Sequence, residues 1–137
     1  MKLVVDTNIV FSALLNSSGN IAKILLSTNE SIEFFSCDFL KDELNSHHKK
    51  IQKYTKLSMH EVNELIDLVC SNIIFIDERL LPTSSIKSAY DLVRDIDEKD
   101  LPFVAMSIHF KAFLWTGDKQ LYIGLVKKNY KKVINLT

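Results

Sequence analysis

Glycine is scarce in this chain: Gly19, Gly117 and Gly124 are the only three in 137 residues. Neither a dinucleotide fingerprint nor a Walker-A phosphate loop can be written with them, so readings built on nicotinamide cofactors or nucleoside triphosphates fall away. Cysteine is rarer still. Cys37 and Cys70 lie too far apart for a metal knuckle or redox pair, and both read as small buried apolar side chains. The histidines, His47, His48, His60 and His109, have neither H-E-x-x-H spacing nor a cysteine pair beside them, which disfavours zinc. There is no G-x-S-x-G elbow for a serine nucleophile. Charge of one sign is also missing: 17 basic and 17 acidic residues give a net charge of zero. A broad positive field over nucleic acid is therefore excluded, and any nucleic-acid chemistry must come from a local site. No apolar run exceeds four residues, as in Ile73-Ile74-Phe75-Ile76, against roughly 20 for a membrane span. Asp6 interrupts the apolar opening after Leu3-Val4-Val5, which leaves no signal-peptide core, so a cytoplasmic protein without membrane contact is expected.

What is present is apolar residues, 47% of the chain, enough for the core of one domain expected to span 1–137. Leu3-Val4-Val5 lacks polar alternation, the pattern of a strand buried on both faces of a parallel sheet. Further strands are predicted over 32–36, 73–76 and 112–115, with a closing strand at 133–134. Helices are predicted between them, over 9–15, 21–27, 86–93 and 121–126, and after Pro102. One helical face is predicted from Asp38 through Leu44 to Ile51. Ser58 and Glu61 have capping-box spacing ahead of Val62, Leu65, Ile66 and Val69 at helical intervals. Alternating elements without hairpin signals predict a three-layer α/β/α fold around a central parallel sheet of four to five strands.

In such sheets the strands' carboxyl ends share one edge, and ligands bind there. Asp6 follows the first strand and Asp118 the fourth, while Glu43, Asp97 and Asp100 sit in early helical turns expected at the same edge. Several acids in one crevice repel one another unless a divalent cation neutralises them. An all-oxygen ligand set selects Mg²⁺ or Mn²⁺. Each acid also has a plainer role. Asp97 and Asp118 suit helix caps, Asp100 suits a helix N-terminus, and Glu43 suits a solvated face. Asp6 fits a plain strand end poorly, because a lone acid beside a doubly buried strand is expensive.

Four segments in fixed order, Val5-Asp6-Thr7-Asn8, Lys41-Asp42-Glu43-Leu44, Asp97-Glu98-Lys99-Asp100-Leu101-Pro102-Phe103-Val104-Ala105 and Trp115-Thr116-Gly117-Asp118, resemble the PIN-domain nucleases. The resemblance covers nearly the whole chain. It implies a Mg²⁺- or Mn²⁺-dependent ribonuclease with Asp6, Glu43, Asp100 and Asp118 as catalytic, metal-binding acids. Thr7, Asn8 and Thr116 then take supporting positions. The crowded stretch from Asp95 to Asp100 leaves the ligand open between Asp97 and Asp100, with Asp100 preferred because it directly precedes the apolar helix. Toxin-type members of that family work with a small antitoxin lying in the active-site groove. An antitoxin partner and a homodimer are both open at this point.

Lys49, Lys50 and Lys53, with Lys56, His47 and His48, form a basic stretch that reads either as a solvated face or as a track for the RNA backbone. Lys127, Lys128, Lys131 and Lys132 form a second such stretch, in a C-terminal end where no acid follows Asp118. Trp115, ending an apolar run, reads as core rather than as a base-stacking platform. The competing function is a catalytically silent PIN-like module whose acidic crevice binds a protein partner or RNA. A phosphatase with an aspartate nucleophile fails because Asn8 stands where a second acid is needed.

Overall fold

Leu3, Val4 and Val5 are apolar without alternation because β1 (Lys2–Val5) is the middle strand of the sheet, covered on both faces. The computed structural model of the chain describes residues 1–28 and 30–135. Among these, β1, β2 (Glu33–Cys37), β3 (Ile73–Ile76), β4 (Phe113–Trp115) and β5 (Val133–Ile134) form one sheet in the order β3-β2-β1-β4-β5. Every neighbouring pair is parallel. Val4 lies opposite Phe35 on one side and Leu114 on the other. The expected parallel sheet is thus met with five strands.

Helices complete the three layers. One group is α1 (Thr7–Leu15), α2 (Asn20–Leu25), α3 (Asp38–Ser46), α4 (His48–Thr55) and α5 (Met59–Val69), with α1 touching each of the other four. The other is α6 (Thr83–Val93), α7 (Leu101–Phe110) and α8 (Lys119–Lys127), in which α7 crosses β1, β2 and β4. Five consecutive residues of α7, Phe103, Val104, Ala105, Met106 and Ser107, are buried, as befits a helix apolar around its circumference. Pro102 falls in its first turn, where the missing N–H has no partner to lose. At α5 both bonds of the capping box form, Glu61 N–H to Ser58 Oγ at 3.1 Å and Ser58 N–H to Glu61 Oε1 at 3.0 Å.

Two expectations need correction. The helical face predicted from Asp38 to Ile51 is two helices, broken at His47 (φ −106°, ψ 17°). There Ser46 Oγ donates to Glu43 O at 2.8 Å and His47 N–H to Leu44 O at 3.1 Å, closing the last turn of α3 with local bonds. The second concerns cysteine. Cys37 is fully buried, its thiol pushed up to about 12 chiefly by burial, whereas Cys70 at the end of α5 is only half-buried. Trp115 is core, 1% exposed.

The segment holding Asp95 to Asp100 is pinned against α8 at two points. Gly124 lets the helix approach Ile96 so closely that an added Cβ would stand 2.4 Å from Ile96 Cδ1. Lys128 Nζ donates to the Asp95 carboxylate and, at 2.8 Å, to Leu92 O. The acidic segment is thereby fixed beside the helix that Asp118 starts.

Candidate active site

The sheet order reverses between β1 and β4: the chain builds β2 and β3 on one side of β1, then β4 and β5 on the other. At such a switch point the connections diverge and open a crevice at the strands' carboxyl ends. Asp6, Thr7 and Asn8 follow β1 there, and Thr116, Gly117 and Asp118 follow β4. Asp6 N–H still bonds Trp115 O at 3.1 Å, so the ladder holds the two loops together.

Asp6 is 3% exposed. Its Oδ1 accepts Thr7 N–H at 2.7 Å, capping α1, and its Oδ2 accepts the Thr116 hydroxyl at 2.7 Å. Thr116 Oγ1 in turn accepts Asp118 N–H at 3.0 Å, and Asn8 Oδ1 accepts Gly117 N–H at 2.7 Å. Thr7 Oγ1 donates to Glu43 Oε1 at 2.6 Å across 36 residues of sequence, bringing the half-buried α3 glutamate to the end of β1. Asp118 caps α8, its Oδ1 accepting Gln120 N–H at 2.9 Å and Leu121 N–H at 3.2 Å. Its plainer role is therefore real and coexists with its place at the crevice.

Asp100 differs from a cap. It stands at the start of α7 without a capping bond from its side chain, 9% exposed, and its Oδ2 is buried with no hydrogen-bond partner. Asp97 has the opposite character: exposed, with Oδ1 accepting Lys99 N–H at 3.0 Å, it caps the short 3-10 turn Glu98–Asp100. The Asp100 carboxyl is pushed up to about 8, first by burial and then by the charges of Asp6, Asp97, Asp118 and Glu43. Burial also pushes Asp6 up to about 6, against the lowering bonds from Thr116 and Thr7, with Glu43 and Asp118 adding repulsion. The predicted acids therefore act on one another through their charges, although among the described residues no three of them bring carboxylate oxygens within 4.8 Å of one another. No ion pair among the described residues joins Asp6, Glu43, Asp100 or Asp118 to a basic side chain.

A cleft of about 230 Å³ adjoins this group, lined by Thr7, Asn8, Phe11, Glu43, His47 and Lys50. Of the three lysines predicted to follow RNA, Lys50 lines it, while Lys49 and Lys53 are exposed on α4 outside that lining. The C-terminal basic stretch fares differently. Lys128 is spent on Asp95 and Leu92, and Lys132 Nζ on Lys111 O at 3.1 Å, so these two serve packing.

One acidic group was missed. Among the described residues, carboxylate oxygens of Asp38, Asp77 and Glu78 all lie within 4.8 Å of one another, following β2 and β3 at the same sheet edge. The signal was an acid directly after each of those strands. Asp77 is already paired with Arg79, at 3.0 Å to Nε and 2.8 Å to Nη2, which supplies the positive charge that the first group lacks.

A three-layer α/β/α domain with acids placed along the switch point of a parallel sheet is the class that the fold and site define. Its sequence matches the PIN domain over residues 4–136, and the chain belongs to that family. The fold is similar to the crystal structure of VapBC2 from Rickettsia felis bound to a DNA fragment from their promoter. The TM-score is 0.72 at 19% identity over 98% of each chain. A comparison with curated protein sequences finds no match.

Proposed function

We propose that the chain is a metal-dependent ribonuclease, one domain over 1–137, that hydrolyses RNA phosphodiester bonds in the cytoplasm. The observation that carries this reading is the Asp100 carboxylate, buried with an unpartnered oxygen beside Asp6, Asp97, Asp118 and Glu43, none of which is ion-paired to a basic side chain among the described residues. Left so, the cluster is costly, and hard oxygen donors of this kind suit Mg²⁺ or Mn²⁺. Asp6, Glu43, Asp100 and Asp118 would hold the ion. Asp97 is exposed where Asp100 is buried, so Asp100 is preferred over it as the ligand. When bound, a divalent cation lowers the pKa of an attacking water and stabilises charge on the leaving oxygen.

The chain's own contribution is positioning. Thr116 and the Thr7 N–H orient the two oxygens of Asp6, and the Thr7 hydroxyl holds Glu43 toward it. Asn8 fixes the loop after β4 through Gly117. Supporting groups of this kind typically change activity or metal affinity about 10–100-fold. The likeness to VapBC2 supports a place in a toxin–antitoxin pair, whose small partner would offer Arg or Lys to the acids in place of the ion. Labelled RNA tests the enzyme: cleavage is expected with Mn²⁺ and absent with EDTA or in Asp6→Asn. Cleavage that persists in either condition removes the mechanism and leaves a module that only binds.

A further inference from the structure

The cleft beside Glu43 has a chemistry of its own. Phe11 lies one helical turn beyond Thr7 on α1, so the two share a face. The His47 ring, placed by the break between α3 and α4, meets Phe11 edge-on at 6.2 Å with 77° between the planes. Lys50 brings its ammonium to 5.4 Å from the Phe11 ring centroid. One wall of the cleft is thus an aromatic corner with the Lys50 ammonium over the Phe11 ring, a place that a stacked base would take as the lysine turns to its phosphate, and the other is Thr7 and Glu43, which belong to the acid cluster. Small-molecule pockets usually measure about 300–1,000 Å³, so a cleft of about 230 Å³ takes one flat ring system rather than a large ligand.

We propose that this cleft is a subsite for one unpaired nucleotide next to the scissile phosphate, its base stacked on Phe11 in the corner made by His47, with Lys50 on its phosphate. The proposal rests on the ribonuclease reading above. Phosphates are repelled by Glu43 and its neighbours, and Lys50 is the lysine that lines this cleft, so charge sets the direction in which the strand lies. A base held in a duplex exposes no face to an aromatic ring, so the subsite selects single-stranded, looped or bulged RNA. Lys49 and Lys53, exposed on α4 outside the cleft, take no part in it.

The test uses short single-stranded RNAs carrying 2-aminopurine at one position at a time, titrated in EDTA so that the RNA stays intact. Quenching is expected at one position in the intact protein. Phe11→Leu abolishes it and weakens binding about 5- to 150-fold, the range for one lost stacking contact. An abasic nucleotide at that position costs the intact protein a similar factor and costs Phe11→Leu nothing further. His47→Ala, at an exposed position where folding is not at stake, also reduces the quenching. Lys50→Gln weakens binding while the quenching at saturation persists. Quenching unaffected by Phe11→Leu and His47→Ala, no quenched position, or equal quenching in a duplex overturns the subsite. Cleavage of the same RNAs with Mn²⁺ judges the ribonuclease reading separately. Cleavage without position-specific quenching keeps the nuclease and removes the subsite, and quenching without cleavage does the reverse.

Discussion

Asp100→Asn isolates the charge of an acid whose Oδ2 is buried without a hydrogen bond, as Glu78 Oε2 also is in the second acidic group. A carboxyl raised from 3.8 to about 8 keeps its proton in the folded chain while the unfolded chain has lost it. Between those two values the native state binds the extra proton, so stability falls as pH rises, and the loss is complete above about 8. At about 1.4 kcal/mol per pH unit the ceiling is about 6 kcal/mol. Solvent reaching the crevice and proton sharing among the four acids bring this down to about 2 kcal/mol. For a domain of this size that is a rise in Tm on the order of 6–8 °C. Thermal melts in EDTA from pH 4 to pH 9 provide the assay. At pH 4, where only the first part of this loss has accrued, wild type and Asp100→Asn should differ mainly by the neutral exchange of an acid for an amide. The variant should then gain steadily on wild type up to about pH 8 and hold its lead beyond. Mg²⁺ at a hundredfold excess over its dissociation constant should stabilise the wild type by about 2.7 kcal/mol, and Asp100→Asn by much less. A difference between variant and wild type that is flat across the pH range would refute the clustering, and one that runs the other way would make Asp100 a structural group.

The remaining expectations concern the supporting residues. Thr7→Val removes the 2.6 Å bond to Glu43 and should lower kcat about 10–100-fold with little change in KM, while Thr7→Ser restores it. RNA-cleavage kinetics and a melt distinguish this from a loss of fold. Ser58→Ala opens the α5 capping box and should cost about 1 kcal/mol in urea unfolding without touching cleavage. Lys50→Gln should reduce the salt slope of RNA binding by about 1. Lys128→Gln should lower Tm and leave that slope alone, because its ammonium already binds Asp95 and Leu92 O.

Strand positions were legible because a buried parallel sheet writes itself as short apolar runs. The β3 and β5 bounds coincide with the predicted 73–76 and 133–134, and the other three shift by one residue. Asp6 was legible for the same reason, as an acid directly after a doubly covered strand. Glu43 was not legible from spacing, since its place depends on the Thr7 hydroxyl far away in sequence. Resemblance supplied it. Asp97 and Asp100 differ by three positions and look alike as letters. Burial separates them, leaving Asp97 exposed on its cap and Asp100 turned inward. The break at His47 arises from side-chain bonds that compete with helix continuation and leave no periodic trace. Lys128 looked like part of a basic patch because its partner, Asp95, lies on another segment.

Mn²⁺ titration of the metal-free protein is the most direct test of where the cation sits, because two acidic groups share this sheet edge. Wild type, Asp6→Asn, Asp100→Asn, and a control bearing Asp77→Asn and Glu78→Gln are compared by calorimetry or by the electron paramagnetic resonance of the free ion. A site at the β1–β4 switch point predicts binding in wild type and in the control, and its loss in Asp6→Asn and Asp100→Asn. Binding that survives both of those substitutions and vanishes in the control would place the ion at Asp38, Asp77 and Glu78 and contradict the proposed centre.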